Sequence, residues 1–251
     1  MSRTGEPPLV SVVSPSYNMS RYLPQTIESV LSQDYPRIEY IVMDGGSTDG
    51  TLDILERYKD RLQHRSERDR GPADAIHRGF ELARGEIFAW LNADDLYLPG
   101  AISAAVAFFE AHPGVDVVYG EGAWIDAEGN PLGNYPTLPF EARQLERGCF
   151  ICQPAAFFRA SAYRRCGLDP ARALTFDYDL WIRMAKRNFR FAHLRTRMAR
   201  TRMHRSTLTL RQRKDVFRES IDLLKKHYGY VPFTQVLSYT AFCIDRRDQF
   251  F

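Results

Sequence analysis

The chain of 251 residues lacks several features that would fix a class of protein by themselves. No apolar run approaches the roughly 18 to 20 residues that a membrane-spanning helix needs. The polar stretch at residues 1–8 has no apolar core of a signal peptide, so we expect a cytoplasmic location. No Gly-x-Gly-x-x-Gly follows the first apolar run, which argues against a dinucleotide-dependent dehydrogenase.

Cysteine is scarce, with four in the chain. Cys149 and Cys152 form one Cys-x-x-Cys, without the second pair or the finger-spaced histidines that a zinc site requires. The motif lies in an apolar stretch, whereas a redox dithiol usually lies at a strand-to-helix turn. We therefore expect structural cysteines, with a redox or metal role as the less favoured alternative.

Acidic residues are absent between Asp179 and Asp215, although the net charge of the whole chain is only +3. The basic residues of this stretch, called the basic block below, are Arg183, Lys186, Arg187, Arg190, Arg195, Arg197, Arg200, Arg202, Arg205, Arg211, Arg213 and Lys214. Such a block favours a polyanionic partner: a phosphorylated substrate, a nucleic acid or an anionic lipid surface. The alternative is a solvated basic face.

Short apolar runs alternate with helical patterns in the first half of the chain. The predicted strands are residues 9–14, 38–43, 87–91 and 115–119. Stretches with helical spacing of apolar residues begin at Leu23, Leu52, Pro72 and Pro99. Because the strands are apolar on both faces and alternate with helices, we predict an α/β fold with a mostly parallel sheet flanked by helices.

The second half is less regular. We predict a turn at residues 126–131, a strand at 153–158, helices at 177–187 and 208–228, and an apolar segment at 231–244. The expected organisation is one domain of residues 1–206 and a C-terminal helical extension, 207–251, packed on or next to it. The apolar face of the extension suits core packing, a membrane surface or a dimer contact.

Polar residues follow three of the predicted strands, at the edge where an open parallel sheet binds ligands. They are S-P-S-Y-N after the first strand, D-G-G-S-T-D-G-T after the second and N-A-D-D after the third. Amides of the Gly-Gly-Ser turn could hold an oxygen-rich ligand, and Asp94 with Asp95 a hard divalent cation. Taken singly, the turn could be a helix cap made by Thr48, and the two aspartates could cap the helix that Pro99 begins.

Five motifs in this order resemble the family-2 glycosyltransferases of the GT-A fold, which is Rossmann-like. They are V-S-V-V-S-P-S-Y-N, I-E-Y-I-V-M-D-G-G-S-T-D-G-T, G-E-I-F-A-W-L-N-A-D-D, T-F-D-Y-D-L-W-I-R and M-H-R-S, within residues 9–206. The resemblance implies inverting, metal-dependent transfer of a sugar from a nucleoside-diphosphate sugar, most often UDP-linked. The acceptor would be a hydroxyl of a glycan, a lipid-linked or another molecule, as in bacterial polysaccharide biosynthesis.

The resemblance also implies a role for each matched residue. Asp177 would be the catalytic base, and Asp94 and His204 would bind Mn²⁺ or Mg²⁺. Gln153 and Trp181 would lie on the acceptor side. The residues expected to contact the nucleotide or donor are Pro15, Ser16, Tyr17, Asn18, Asp44, Gly46, Ser47, Asp69, Asp74, Asn92, Ala93 and Asp94.

The chain departs from the family pattern at four places. Gly45 replaces a second aspartate, Asn92 replaces an aspartate, Phe176 replaces a glutamate, and Ile76-His77 stands where many members have Arg-Asn. The last change removes a cation that could face the diphosphate, and the basic block could compensate for it.

Three alternatives stay open from the residues alone. Asp177 and Asp179 both begin a predicted helix without sharing a face, so one could be the base and the other a cap, or both could be helix-start acids. A nucleotide-sugar-binding protein or nucleotidyltransferase of similar fold is a rival, although a pyrophosphorylase usually has a Gly-rich basic loop after the first strand. A nucleic-acid-binding module leaves the aspartate motifs unexplained, so we expect no nucleic acid. A peripheral contact with the inner face of the membrane is a further hypothesis.

Overall fold

The computed structural model describes residues 6–233 and Gln235, which form one sheet with helices on both faces. The strands are β1 (Val10–Ser16), β2 (Ile38–Asp44), β3 (Gln63–Ser66), β4 (Ile87–Trp90), β5 (Leu96–Tyr97), β6 (Val117–Ile125), β7 (Pro131–Asn134), β8 (Ala156–Arg159) and β9 (Phe191–Arg202). The helices are α1 (Leu23–Leu31), α2 (Thr51–Arg57), α3 (Pro72–Leu82), α4 (Ala101–Ala111), α5 (Ala160–Cys166), α6 (Phe176–Lys186), α7 (Leu208–Arg211) and α8 (Arg213–Tyr228). Two 3₁₀ helices, Ala142–Glu146 and Gln153–Ala155, precede β8.

The strand order is β3-β2-β1-β4-β8-β6-β9-β5, with β7 beside β6. β1 pairs in parallel with β2 and β4, and β2 pairs in parallel with β3, as predicted for the first half. β8 is antiparallel to both β4 and β6, so the sheet as a whole is mixed rather than mostly parallel. The reason is that the chain enters β8 at the edge where β4 and β6 point, and runs back from it.

Apolar cores cover both faces of the sheet. Neighbouring residues of one strand, such as Val12 and Val13 on β1 or Phe88 and Ala89 on β4, belong to opposite cores. α1, α2 and α4 cover one face, whereas α3, α5, α6 and α8 cover the other. Burial on both faces explains why these strands appear in the sequence as continuous apolar runs.

Three predicted elements have different boundaries in the structure. The helix expected from Pro99 begins at Ala101, because Gly100 takes the left-handed φ of 78°. The strand expected at 153–158 begins as a 3₁₀ helix, and β8 starts only at Ala156. The long helix expected at 208–228 is interrupted at Gln212, which has φ −116° and ψ 32°.

The described part of the C-terminal extension packs on the rest of the molecule. Leu223 and Leu224 on α8 are fully buried in the core that also contains α3 and α6. The domain boundary at residue 206 stays a prediction, and most of the apolar segment 231–244 lies outside the described residues. None of the helices in the described region has the length and apolar character needed to cross a bilayer.

Candidate active site

The loops after β1 and β2 are tied together at the carboxyl ends of the two strands. The Asn18 amide donates to Ser47 Oγ at 2.7 Å, and the Thr48 amide donates to Asn18 Oδ1 at 2.9 Å. Thr48 does not cap α2; its neighbour Asp49 accepts the Thr51 amide at 3.1 Å instead. The two loops therefore form one connected rim.

The predicted donor residues of the first loop differ in exposure. Pro15 and Ser16 are buried, and Ser16 Oγ has no hydrogen-bond partner among the described residues. Tyr17 is 60% exposed. Because buried hydroxyls are nearly always hydrogen-bonded in a complete complex, Ser16 beside an exposed ring fits a loop that receives a ligand.

Asp44 is buried at the end of β2, and its carboxylate is held by its own loop and by β3. Oδ2 accepts hydrogen bonds from the amides of Gly46 and Ser47 at 3.0 and 2.9 Å and from the Ser66 hydroxyl at 2.6 Å. Oδ1 accepts the Ser47 hydroxyl at 2.5 Å. Because each carboxylate oxygen has two acceptor positions, Oδ1 keeps one for the predicted contact with a base.

Asp69 lies against Gly45, where the family pattern has a second aspartate. A β-carbon added to Gly45 would lie 2.9 Å from Asp69 Oδ2. Burial raises the pKa of Asp69, and the charges of Asp74 and Asp44 raise it further. Asp74, in the first turn of α3, is paired with Arg70 at 2.8 Å. Asp69 thus places a carboxyl at the point where the missing side chain would begin.

The end of β4 carries Asn92 in a network of side chains. Asn92 Nδ2 donates to Asp95 Oδ2 at 3.0 Å and to Gln153 Oε1 at 3.4 Å. Gln153 Nε2 in turn donates to the Trp90 carbonyl at 2.8 Å. Gln153 and Ala93 are both buried. In this structure Gln153, expected on the acceptor side, holds Asn92 against the strand end.

Asp94 and His204 meet at the same rim. Asp94 Oδ2 lies 2.9 Å from His204 Nε2, and both residues are buried, although they are 110 positions apart in the sequence. His204 Nδ1 lies 3.2 Å from Ser206 Oγ, and the ring packs on Tyr22 at 4.6 Å. These outer contacts orient the imidazole, as they do for metal-binding histidines.

The 2.9 Å separation is that of a hydrogen bond between the two side chains, and it is also close to the spacing of two ligands on a divalent cation. Two ligands at right angles on a cation that binds at about 2.1 Å lie about 3 Å apart. Within the described residues, no group of three His, Cys, Asp or Glu side chains could hold a metal. A cation at Asp94 and His204 would therefore take its other ligands from water or a bound diphosphate, as Mg²⁺ usually does.

Arg202 supports this rim from below and was not identified from the sequence. It is 1% exposed, and its side chain donates to the Asp94 carbonyl at 3.0 Å and to Gln25 Oε1 at 2.7 Å. Its amide donates to Asp95 Oδ1 at 2.9 Å, and burial raises the Asp95 pKa to about 7, with the Asp94 charge adding to the effect. These contacts, together with the Gly100 cap of α4, show that Asp94 and Asp95 do not cap that helix. The sequence carries no signal that separates Arg202 from exposed Arg200, because residues two apart in a strand point to the same face.

Asp177 lies in the first turn of α6, beside the end of β4. The preceding ring of Phe176 packs on Trp90, with centroids 6.3 Å apart. Burial raises the pKa of Asp177 to about 6, although the amides of Tyr178 and of Asp177 itself counteract the rise. A carboxyl with such a pKa is suited to general-base chemistry near neutral pH.

Asp179 has the opposite environment. It accepts hydrogen bonds from Arg183 Nε at 2.5 Å and His227 Nε2 at 2.9 Å, and Arg172 Nε lies 3.6 Å away. Although burial opposes the change, His227 and the two arginines lower the Asp179 pKa overall. Asp179 is thus held in an ion-pair cluster, and Asp177 is the better candidate for a base.

One sequence prediction needs correction here. Trp181 is fully buried and stacks on Trp90 at 5.8 Å, so it packs the core and does not reach an acceptor in this structure. Two residues of the basic block, Arg202 and Arg183, donate hydrogen bonds within the molecule, and a polyanionic partner for the block stays a prediction. The sequence pattern does not show whether an aromatic or basic residue is buried or exposed, so it could not predict these two cases.

The cysteines match the structural interpretation. Among the described residues, Cys149, Cys152 and Cys166 are free thiols. Burial raises the pKa of the Cys149 thiol well above its usual value. A thiol of this kind is a poor nucleophile and a poor metal ligand.

The parallel βαβ units with an acidic rim at their carboxyl ends are the arrangement expected of a GT-A glycosyltransferase. The model of glycosyl transferase family 2 matches residues 11–167, more than half of the chain. Chondroitin synthase of Escherichia coli is 30% identical over 183 residues, which cover 71% of this chain and 27% of that protein. The chain therefore belongs to glycosyl transferase family 2 and spans about a quarter of the length of that relative.

Two solved structures share the fold. The S. aureus TarS 1–349 complex with UDP-GlcNAc has a TM-score of 0.71 at 18% identity, covering 96% of this chain and 75% of that one. The mannosyltransferase PcManGT of Pyrobaculum calidifontis, solved with GDP-Man and Mn²⁺, has a TM-score of 0.68 at 21% identity. The match covers 95% of this chain and 70% of the PcManGT chain. At these identities the likeness shows the fold.

Proposed function

We propose that the chain is an inverting glycosyltransferase that moves a sugar from a nucleoside-diphosphate sugar to an acceptor hydroxyl, with Mn²⁺ or Mg²⁺. The observation that carries the proposal is the 2.9 Å contact between Asp94 Oδ2 and His204 Nε2 at the rim of the sheet. A buried carboxylate and imidazole from distant strands form a pair that can ligate a cation.

The departing diphosphate gains negative charge as the bond from the anomeric carbon to the phosphate oxygen breaks. A divalent cation held by Asp94 and His204 would supply positive charge to that oxygen. Arg205, directly after His204, adds a basic side chain at the same edge. The Ser16 hydroxyl, which has no hydrogen-bond partner among the described residues, and the Asp69 carboxyl beside Gly45 would orient the donor.

Asp177 takes the proton from the acceptor hydroxyl as it attacks the anomeric carbon. Such a base contributes roughly 10²- to 10⁴-fold to the rate. With Asp177 as the single base opposite the leaving group, the attack would invert the anomeric centre. The raised Asp177 pKa of about 6 supports this role. The carboxyl group is ionised at neutral pH, and its pKa is close enough to neutral pH for the group to accept a proton.

The donor and acceptor are proposed at the level of chemical class. UDP-sugars come first, since TarS was solved with UDP-GlcNAc, and GDP-sugars second, since PcManGT was solved with GDP-Man. A glycan or lipid-linked acceptor, in polysaccharide biosynthesis, fits the likeness to chondroitin synthase. Exposed Tyr230 and Phe233, beside exposed Lys225 and Lys226, support a peripheral membrane contact from the cytoplasmic side.

A panel of UDP- and GDP-sugars, assayed for release of nucleoside diphosphate with and without Mn²⁺, tests the proposal. Wild type should release diphosphate from one class of donor, with metal dependence. Asp94→Ala should lose that dependence and most of the turnover, whereas Asp53→Ala, an exposed carboxylate on α2, should behave as wild type. Release of pyrophosphate instead would support a nucleotidyltransferase, and donor turnover by Asp94→Ala at the wild-type rate would contradict the proposed site.

A further inference from the structure

Glu219 on α8 binds the segment that leads into α6. Its Oε1 accepts the Thr175 hydroxyl at 2.8 Å, the Thr175 amide at 3.1 Å and the Leu174 amide at 3.4 Å. Arg172 Nη1 lies 3.5 Å from the same oxygen. One carboxylate oxygen, on a side chain that is 21% exposed, therefore holds the turn just before the helix that carries Asp177.

Thr175 is the N-cap residue of α6, yet it does not cap the helix with its side chain. A threonine in this position usually accepts a hydrogen bond from an amide in the first helical turn. Here its hydroxyl donates to Glu219 instead, so the turn before α6 is held from α8. Asp177 follows two residues later, and its position depends on where this turn lets the helix begin.

We propose that Glu219 is a positioning residue for Asp177, which rests on the proposed function in which Asp177 is the base. By fixing Thr175 and the turn before α6, Glu219 fixes where the first helical turn begins and, with it, the place of the Asp177 carboxyl. The C-terminal extension is then part of the active-site architecture, because α8 supplies this contact.

The charge of Glu219 affects the pKa of Asp177, which a contact made only by packing would not do. After burial, Glu219 is the charged group that raises the pKa of Asp177. Cys149, Tyr135 and Tyr178 also interact with Asp177, but burial raises their own pKa values, so they stay neutral near pH 7. Removing the Glu219 charge should therefore lower the pKa of Asp177.

The test compares Glu219→Ala and Glu219→Gln with Asp222→Asn, an exposed carboxylate on the same helix. Glu219→Ala should lower kcat by about 10- to 100-fold with little change in the donor KM, because a misplaced base costs rate rather than donor binding. Glu219→Gln keeps an acceptor oxygen of the same shape and should lose less. Its acid limb in the pH profile of kcat should move to lower pH, since an ionised Asp177 is no longer opposed by a negative neighbour. Asp222→Asn should match wild type in both measurements.

A double-variant cycle makes the test independent of a general loss of stability. If Glu219 acts through Thr175, adding Thr175→Val to Glu219→Ala should cost no more than Glu219→Ala alone. Wild-type kcat, within about 2-fold, and an unmoved acid limb in the folded Glu219→Gln and Glu219→Ala variants would overturn the proposal. Asp177→Asn is measured in the same series: if it keeps turnover, the base assignment is wrong, and if it is inactive while the Glu219 variants are normal, only the positioning role is wrong.

Discussion

Asp177 and Asp179 both lie in the first turn of α6, but their surroundings give the two carboxyl groups opposite properties. Asp179 faces α8 and the turn before α6, where Arg183, His227 and Arg172 surround it and its pKa is lowered. Asp177 has no cationic partner in the part of the chain that the structure describes, and burial raises its pKa to about 6. The environment of each carboxyl group, and not the residue type, therefore decides that Asp179 joins two helices whereas Asp177 can accept a proton.

The largest effect should come from Asp177→Asn. The substitution keeps the shape of the side chain but removes the group that accepts the proton, so kcat should fall by about 10²- to 10⁴-fold. Steady-state transfer assays measure this loss. Donor binding, followed by titration calorimetry, should stay close to wild type, and normal turnover would show that the base lies elsewhere.

The matching change on the other side, Asp179→Asn, should act on stability. It removes the buried counter-ion of Arg183 and one of the two carboxylates beside Arg172, which should cost about 3 kcal/mol of unfolding free energy, measured by urea denaturation. Because the folded Asp179 pKa is lowered, its contribution exists above about pH 3.9, the unfolded value, and is lost as the pH falls through the folded pKa. An unchanged unfolding free energy at pH 7 would contradict the ion-pair cluster.

A smaller effect of opposite sign is expected for the stability of Asp177→Asn. The folded pKa of about 6 lies above the unfolded value, so the ionised side chain destabilises the fold at high pH and the penalty disappears as the pH falls below the unfolded pKa. At pH 8 the variant should be more stable than wild type by on the order of 1–3 kcal/mol. At pH 4 the difference should shrink; a variant less stable than wild type at pH 8 would mean that Asp177 is not held in a desolvating site.

How far the sequence predicts the fold follows from burial. The parallel strands β1, β2 and β4 were predicted because both of their faces are buried, which leaves an unbroken apolar run. The antiparallel direction of β8 could not be predicted, because it depends on where residues 142–155 return to the sheet. The break at Gln212 likewise follows from how the chain packs and not from apolar spacing.

The candidate site divides in the same way. Asp94 and His204 could be named from the motifs, but their 2.9 Å contact depends on β5, which follows Asp94, pairing with β9. Neither periodicity nor a motif predicts three further features: the hydrogen bonds of the Asp44 carboxylate, the burial of Trp181 and the contact of Glu219 with Thr175. They are consequences of long-range packing between helices and loops.

The most direct test of the central claim is the position of Mn²⁺ in crystals grown with the nucleoside diphosphate of the preferred donor, located by anomalous diffraction. We expect a single peak within about 2.0–2.3 Å of both Asp94 Oδ2 and His204 Nε2, with the diphosphate on its far side. A diphosphate bound away from this rim, or a metal that touches neither side chain, would contradict the proposed metal site.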